Sequence, residues 1–262
     1  MASRKEQREQ ARKEREEREA AERQKAQRKK RIFMLGGVLA AAAVIVVVAI
    51  VISSSSSSKK TNATGGVEAA SQTTQLLQEI PQKGITLGNP KAPVTLTEFA
   101  DLQCPFCRDY TLKTFPTIVA KYVRAGKVKM VFRNYAFISE DSLTAARAAE
   151  AAGKQNKLWN FIDVFYNNQG EERSGYVTDA FLKKIGGAAG VDVNKMMADR
   201  QDPAVDQQIA EAQQEATKAG VNSTPTFLIQ KNGGVARKVS QSAFDPNEFS
   251  KAIDEALANS GT

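Results

Sequence analysis

Histidine is absent from this 262-residue chain, and cysteine occurs only twice, as Cys104 and Cys107. A structural zinc site usually takes four Cys or His ligands, and c-type haem attachment needs a histidine directly after the second cysteine, where this chain has Arg108. The composition therefore excludes an ordinary intramolecular Cys/His zinc site and a c-type haem. A site completed by carboxylates or by a second chain is the remaining metal alternative, and we expect no metal.

Most of the chain also lacks a large excess of positive charge, although the formal net charge is +8. Residues 1–31 carry 13 Lys/Arg and 7 Asp/Glu, so the remaining residues, with 24 and 22, are close to neutral. A nucleic-acid-binding domain normally presents a basic surface together with a recognisable motif. We therefore expect no nucleic acid among the partners.

The N-terminal segment lacks residues that could form a core. Residues 3–31 contain no Leu, Ile, Val, Phe, Trp or Tyr and interleave charges of both signs. A coiled coil is the alternative interpretation, but the apolar positions that it requires are missing. We expect residues 1–31 to be a solvated helix or a disordered, charged segment.

Residues 32–52 form a run of 21 apolar residues without a charge. At 1.5 Å per residue this run spans about 30 Å, the thickness of a bilayer's hydrocarbon core, and predicts a single transmembrane helix. The apolar region of a cleaved signal peptide, the alternative, is about 7 to 15 residues long. The basic "RKKR" at residues 28–31 favours a cytoplasmic N-terminus in the cell membrane, with residues 53–83 as an extracytoplasmic linker and everything beyond outside the cytoplasm.

Residues 84–262 carry the patterns of one folded domain. Alternating β-branched residues predict strands over 93–99 and 127–137, joined by a helix that Pro116 breaks near residues 114–115, which makes a βαβ unit. Helical patterns fill residues 139–219, and aromatic residues on one helix predict a packing face: Trp159, Phe161, Ile162, Phe165 and Tyr166. A hairpin over 224–230 and 235–240 and a closing helix capped by Asp245 complete an α/β domain with a helical insertion.

The two cysteines are separated by two residues at the start of the predicted helix. A disulfide across so short a loop contributes little stability, whereas a redox pair needs this closeness so that one thiol can resolve the other's mixed disulfide. Unpaired N–H groups and the helix dipole favour a thiolate at Cys104, which we expect to be an acidic, exposed nucleophile. Cys107, one turn deeper, is expected to resolve, and Pro105 suits the first helical turn. Cys-x-x-Cys near a βαβ unit predicts thioredoxin-like redox chemistry.

Pro225 precedes the apolar strand "TFLI", where proline is tolerated only at the first position or at an edge. A cis Thr224–Pro225 bond fits this position, and an ordinary trans proline is the alternative.

The chain resembles the bacterial DsbA-like thiol-disulfide oxidoreductases, particularly the membrane-anchored type with a thioredoxin-like fold. The resemblance rests on "LGNPKAPVTLTEFADLQCPFCRDY", "AARAAEAAGKQNKLWNF" and "GVNSTPTFLI", which sample residues 84–262. It implies that Cys104 and Cys107 form a redox-active disulfide with no other cofactor, and that Pro225 is cis beside it. It also implies that Thr224 tunes the site, and that Glu98 is a buried carboxylate relaying the proton of the buried thiol. A surface Glu at the strand end is the alternative for Glu98.

One residue departs from the family pattern, because strong oxidants of this type carry histidine where this chain has Phe106. A phenyl ring cannot donate a hydrogen bond to the Cys104 thiolate, so we expect a less oxidising disulfide. The expected function is the formation of disulfides in secreted or envelope proteins, with reoxidation by a membrane partner of the DsbB or vitamin K epoxide reductase type. The alternatives are a tethered reductase or isomerase, and a binding module with an inert disulfide.

Overall fold

The computed structural model describes residues 67–239 and 245–258, which belong to one compact unit beginning at Gly65. The charged segment 1–31, the apolar run 32–52 and residues 53–66 of the expected linker lie outside the described residues. Among the helices that are described, none is both long enough and apolar enough to cross a membrane.

The strands of the described residues form one six-stranded sheet in the order β1-β2-β4-β3-β5-β6. β3 lies centrally, parallel to β4 and antiparallel to β5, and every second residue at its start is buried. This alternation is why the segment forms a strand, with its β-branched and apolar side chains packed on the sheet faces. The strands are β1 Gln82–Lys83, β2 Thr86–Leu87, β3 Val94–Ala100, β4 Val128–Asn134, β5 Thr226–Lys231 and β6 Arg237–Lys238.

The predicted βαβ unit is confirmed, and its helix is broken at the position that Pro116 indicated. Between β3 and β4 run α2, Pro105–Lys113, then α3, Phe115–Ile118, and a π-helical turn, Val119–Val123. Pro116 has no N–H to continue the hydrogen bonds of α2, and a proline ring clashes with the carbonyl one turn before it. The chain therefore begins a new helix after Thr114. The break turns α3 so that Phe115 and Ile118 are buried in the core.

The helical insertion expected over residues 139–219 is also present. Its aromatic face packs as predicted: Trp159 stacks on Phe115 with ring centroids 5.5 Å apart and meets Phe132 edge-on at 5.9 Å. The indole N–H of Trp159 donates to the carbonyl of Ile85 at 3.1 Å. These contacts seat the insertion on α3, the helix after the proline break, and on the sheet. Its helices are α4 Glu140–Gly153, α5 Leu158–Asn167, α6 Asp179–Ala188, α7 Val193–Asp199 and α8 Pro203–Lys218.

The domain begins earlier than residue 84, so the linker interpretation of residues 53–83 is wrong for the part that is described. Helix α1, Ala70–Leu77, packs on α5, and Leu77 and Ile80 are buried in the main core. The Thr73 hydroxyl donates to the buried Asp163 carboxylate of α5. This segment is too rich in Gln and Thr for its few apolar side chains to reveal a packed helix.

The C-terminal hairpin and closing helix are present, with a shorter second strand than predicted. Within the described residues the second strand is Arg237–Lys238, because the turn before it extends through the exposed Val235. The Val239 N–H adds one further bond to β5, at the Phe227 carbonyl. Helix α9, Pro246–Ala258, begins after Asp245, whose carboxylate accepts from the Asn247 N–H at 2.8 Å, as expected of an N-cap.

Candidate active site

Cys104 is the N-cap residue of α2, directly after the carboxyl end of β3. Its backbone is extended, at φ −70° and ψ 120°, and Pro105 occupies the first helical turn. No Ser, Thr, Asp or Asn side chain caps the start of α2. The first N–H groups of this helix are therefore available to the Cys104 sulfur. The Cys104 sulfur therefore occupies the place that a Ser or Asp oxygen takes at an ordinary helix start.

Cys104 is less accessible than the sequence predicted. Only 4% of its surface is exposed, and Cys107 is fully buried, so the expectation of an exposed Cys104 is wrong although the order of depth is right. The Thr224 loop covers it: the Cys104 thiol donates to the Thr224 carbonyl at 3.3 Å.

The two thiols have opposite electrostatic environments. The hydrogen bond from Cys107 lowers the pKa of Cys104 to about 6, helped by Thr224 and by the N–H groups of Cys107 and Phe106, against the desolvation that raises it. Burial raises the pKa of Cys107 well above its usual range, and its hydrogen bond with Cys104 adds to this. At neutral pH Cys104 is thus the thiolate and Cys107 the protonated thiol, and both are free cysteines here.

Glu98 is buried, with 2% of its surface exposed, which excludes the surface alternative for this residue. It lies on β3 between Phe132 of β4 and Phe227 of β5, its direct cross-strand partners. Desolvation by burial, then the charge of Cys104, raises the pKa of Glu98 to about 8. The Glu98 carboxyl group is therefore protonated at neutral pH and interacts electrostatically with both cysteines.

Two of the expected site residues lie on the surface side of the helix start. Pro105 is exposed, and Phe106 is 62% exposed although it is large and apolar. A phenyl ring on the surface beside the thiolate offers apolar contact to an approaching chain but no hydrogen bond to sulfur.

The Thr224–Pro225 peptide bond is cis and faces the cysteines. Pro225 is buried and Thr224 half-buried, and the next residue begins β5. The structure therefore brings all the sequence-predicted residues together at the carboxyl end of β3.

Sequence reasoning missed the polar residues that hold this site from outside the motif. The Asp101 carboxylate accepts from the Gln103 N–H at 2.8 Å and from the N–H groups of Phe137 and Ile138 at 2.9 and 3.1 Å. The Gln169 amide donates to the backbone carbonyls of Leu102 and Cys104. Asp101 stands at a strand end beside the motif, which is a usable signal, but Gln169 is 65 residues from Cys104 and carries none.

A dithiol at the start of a helix after a central parallel strand, facing a cis-proline loop, defines a thioredoxin-like redox protein. Within residues 67–239 and 245–258, no three Cys, Asp or Glu side chains cluster closely enough to bind a metal ion.

Comparisons with known proteins place the chain within this class. The thioredoxin family model matches residues 81–255. The probable disulfide bond formation protein D of Bacillus cereus is 32% identical over 176 residues, which cover 66% of this chain and 78% of that relative. Crystal structures of oxidised BdbD from Bacillus subtilis and of alpha-DsbA1 from Wolbachia pipientis share the fold. Their TM-scores are 0.59 and 0.56 at 24% identity, covering 68% and 71% of this chain and 97% and 96% of theirs. The chain belongs to the thioredoxin family, as a DsbA-like thiol-disulfide oxidoreductase.

Proposed function

We propose that this enzyme forms disulfides in secreted or envelope proteins by exchange through Cys104 and Cys107. The observation that carries the proposal is the pairing of an acidic thiol at a helix start with a buried thiol of raised pKa. A stabilised Cys104 thiolate is a good leaving group, which favours transfer of the disulfide to a client protein.

The reaction starts from the Cys104–Cys107 disulfide. A client thiolate attacks the Cys104 sulfur, the bond to Cys107 breaks, and Cys107 leaves as a thiolate that takes up a proton. A second client thiolate then attacks the client sulfur of this mixed disulfide and releases the Cys104 thiolate. The client has lost two electrons to form a disulfide, and the enzyme has gained them as the dithiol seen here.

Glu98 is the proposed proton donor to Cys107 in the first step. Its raised pKa keeps a proton on the carboxyl group at neutral pH, and it interacts electrostatically with Cys107, which is likewise buried. In reoxidation, Cys104 forms a mixed disulfide with the oxidant, and the ionised Glu98 carboxylate takes the proton of Cys107 as Cys107 attacks the Cys104 sulfur and releases the reduced oxidant.

Thr224 and Pro225 are proposed to hold the client backbone beside the disulfide, and Phe106 to contact its apolar side chains. The support is their position: the Thr224 carbonyl already accepts a hydrogen bond from Cys104, and Phe106 is exposed next to it.

Two further components of the proposal concern location. The apolar run 32–52 is proposed to anchor the chain in the cell membrane with its N-terminus in the cytoplasm, which places the active site outside. The chain has no third cysteine to pass electrons onward, so the proposal requires a membrane oxidant of the DsbB or vitamin K epoxide reductase type.

One observation favours the reductase or isomerase alternative. The pKa of Cys104, about 6, lies nearer to that of thioredoxin, about 7, than to that of DsbA, about 3.5, and the phenyl side chain of Phe106 has no N–H to lower it further. A reduction potential near −120 mV supports net oxidation and one near −270 mV supports net reduction.

Trapping of clients tests the proposal. Replacing Cys107 with Ala leaves Cys104 without a resolving thiol, so mixed disulfides with extracytoplasmic proteins should accumulate and disappear on reduction. The matched control is Cys104→Ala, which keeps Cys107 buried and is expected to trap nothing. If Cys107→Ala forms no mixed disulfides in cells that secrete disulfide-bonded proteins, the chain is instead a binding module with an inert cysteine pair.

A further inference from the structure

Gln169, which follows α5 in the helical insertion, makes a direct contact with the backbone of the proposed nucleophile. Its side-chain amide donates to the Leu102 carbonyl at 2.8 Å and to the Cys104 carbonyl at 3.2 Å. The Cys104 carbonyl also accepts the first helical hydrogen bond of α2, from the Arg108 N–H at 3.2 Å. One amide group therefore fixes two carbonyls on either side of Gln103.

The residue between these carbonyls is held separately by the insertion. The Gln103 side-chain oxygen accepts from the Ser139 hydroxyl at 2.8 Å and from the Arg173 N–H at 3.1 Å. The chain from Leu102 to Cys104 thus has few backbone conformations open to it. The backbone at Cys104 has the extended geometry of an N-cap residue, and the N–H groups of Phe106 and Cys107 act on its sulfur.

The Gln169 amide also acts on charge. Carbonyl oxygens carry partial negative charge, and those of Leu102 and Cys104 lie close to the Cys104 thiolate along the chain. An N–H donor on both oxygens offsets that negative potential in an interior where dipoles are weakly screened. The geometric and the electrostatic contributions therefore have the same sign, since each favours the ionised sulfur.

We propose that Gln169 is a positioning residue for thiol-disulfide exchange: its amide holds the Cys104 backbone so that the sulfur faces the helix N–H groups. The inference rests on the proposed function, because it takes Cys104 as the nucleophile. It gives the helical insertion a direct role in the reactivity of a motif 65 residues away.

Gln169→Met tests this, because methionine keeps the length and volume of glutamine but has no N–H donor. Both hydrogen bonds of the amide are lost, and because they act on the sulfur only through the backbone, we expect the pKa of Cys104 in the reduced full chain to rise by about half a unit to one unit. The alkylation rate at pH 6 then falls about two- to fivefold, with the rate at pH 9 unchanged, because only the thiolate fraction has changed. Gln169→Glu, of the same shape with an anionic acceptor, is expected to shift the profile further.

Gln155→Met is the matched control, because the Gln155 amide likewise donates to a backbone carbonyl, that of Asp192 at 3.1 Å, within the insertion. It is expected to lower stability without moving the alkylation profile. The inference is overturned if the alkylation profile of Gln169→Met coincides with the parent's, or if Gln155→Met shifts the profile equally. Should Gln169→Met not fold, the profile of Gln169→Glu decides in the same way. A parent chain whose Cys104 resists alkylation at every pH below 9 instead overturns the proposed function itself, and the inference with it.

Discussion

Glu98 shows how one buried side chain sets a pH dependence for the fold. Its pKa is raised to about 8 from an unfolded value near 4.5 by burial and by the charge of Cys104. Folding therefore takes up a proton between these values, so the stability that is fully present below pH 4.5 is lost as the pH rises toward 8. At neutral pH this loss amounts to about 3 kcal/mol, at 1.36 kcal/mol per unit.

We expect Glu98→Gln to stabilise the reduced domain, residues 65–262, by about 1 to 3 kcal/mol at pH 7.5 and by little at pH 4.5, because the neutral amide needs no proton to be buried. Urea unfolding at the two pH values measures the difference. The same variant lacks the proton donor and should oxidise clients more slowly. An equal gain at both pH values contradicts the burial of an ionisable group at this position.

Phe106 is the residue whose replacement should change the redox potential with least effect on the fold, because most of its surface is already exposed. Phe106→His places an N–H donor beside the Cys104 thiolate, stabilises the reduced form and makes the disulfide more oxidising. We expect the potential to rise by tens of millivolts, since 30 mV corresponds to about 1.4 kcal/mol in this couple. Equilibration with glutathione measures it.

Phe106→Leu separates the hydrogen bond from the loss of the ring, because leucine is apolar and donates nothing. Its potential should stay within a few millivolts of the parent's, roughly a tenth of the 30 mV that a tenfold change in the equilibrium constant represents. If leucine and histidine raise the potential equally, the aromatic ring, and not a missing donor, controls the couple.

At the scale of elements, a buried polar contact adds to the apolar packing that holds helix α1 on the insertion. The Thr73 hydroxyl donates to Asp163 of α5, and burial raises the pKa of that carboxyl to about 6 although the hydrogen bond partly offsets the rise. At pH 7.5 Asp163 is a buried anion that needs this donor, whereas at pH 5 it is protonated. The tie between α1 and the insertion is therefore sensitive to pH.

Thr73→Val is expected to destabilise the domain by about 1 to 3 kcal/mol at pH 7.5, the cost of leaving a buried acceptor unpaired. The loss should be smaller at pH 5, because removing the donor raises the folded pKa of Asp163 and adds a penalty that grows with pH. Thermal unfolding at both pH values is the measurement. Thr74→Val is the control, since the Thr74 hydroxyl is exposed and bonds only its own helix, at the Ala70 carbonyl.

The elements differ in how far sequence patterns predict them. β3, α2 and β4 follow from alternating β-branched residues and from Pro116, because these signals are local. The burial of Cys104 does not follow, because the Thr224 loop that covers it comes from 120 residues away. Gln169 escapes for the same reason: nothing near it in the chain marks an amide that bonds the Cys104 carbonyl.

At the scale of the whole molecule, the redox site and the segment proposed to anchor the protein lie in different parts of the sequence. Residues 67–83 belong to the domain, so the tether between the apolar run and the fold is at most residues 53–66. The proposed anchor is thus joined to the domain by at most fourteen residues.

The chain's two cysteines make its proposed orientation directly measurable, because no other thiol contributes background. With residues 32–52 spanning the membrane and "RKKR" retained in the cytoplasm, a membrane-impermeant maleimide should label reduced Cys104 in intact cells. A Cys104→Ser/Cys107→Ser chain carrying Ser3→Cys should react only after the membrane is opened.

Both chains should sediment with membranes in alkaline carbonate. Labelling of Ser3→Cys in intact cells contradicts the orientation, and a mature chain lacking residues 1–52 contradicts the anchor and favours the cleaved signal peptide.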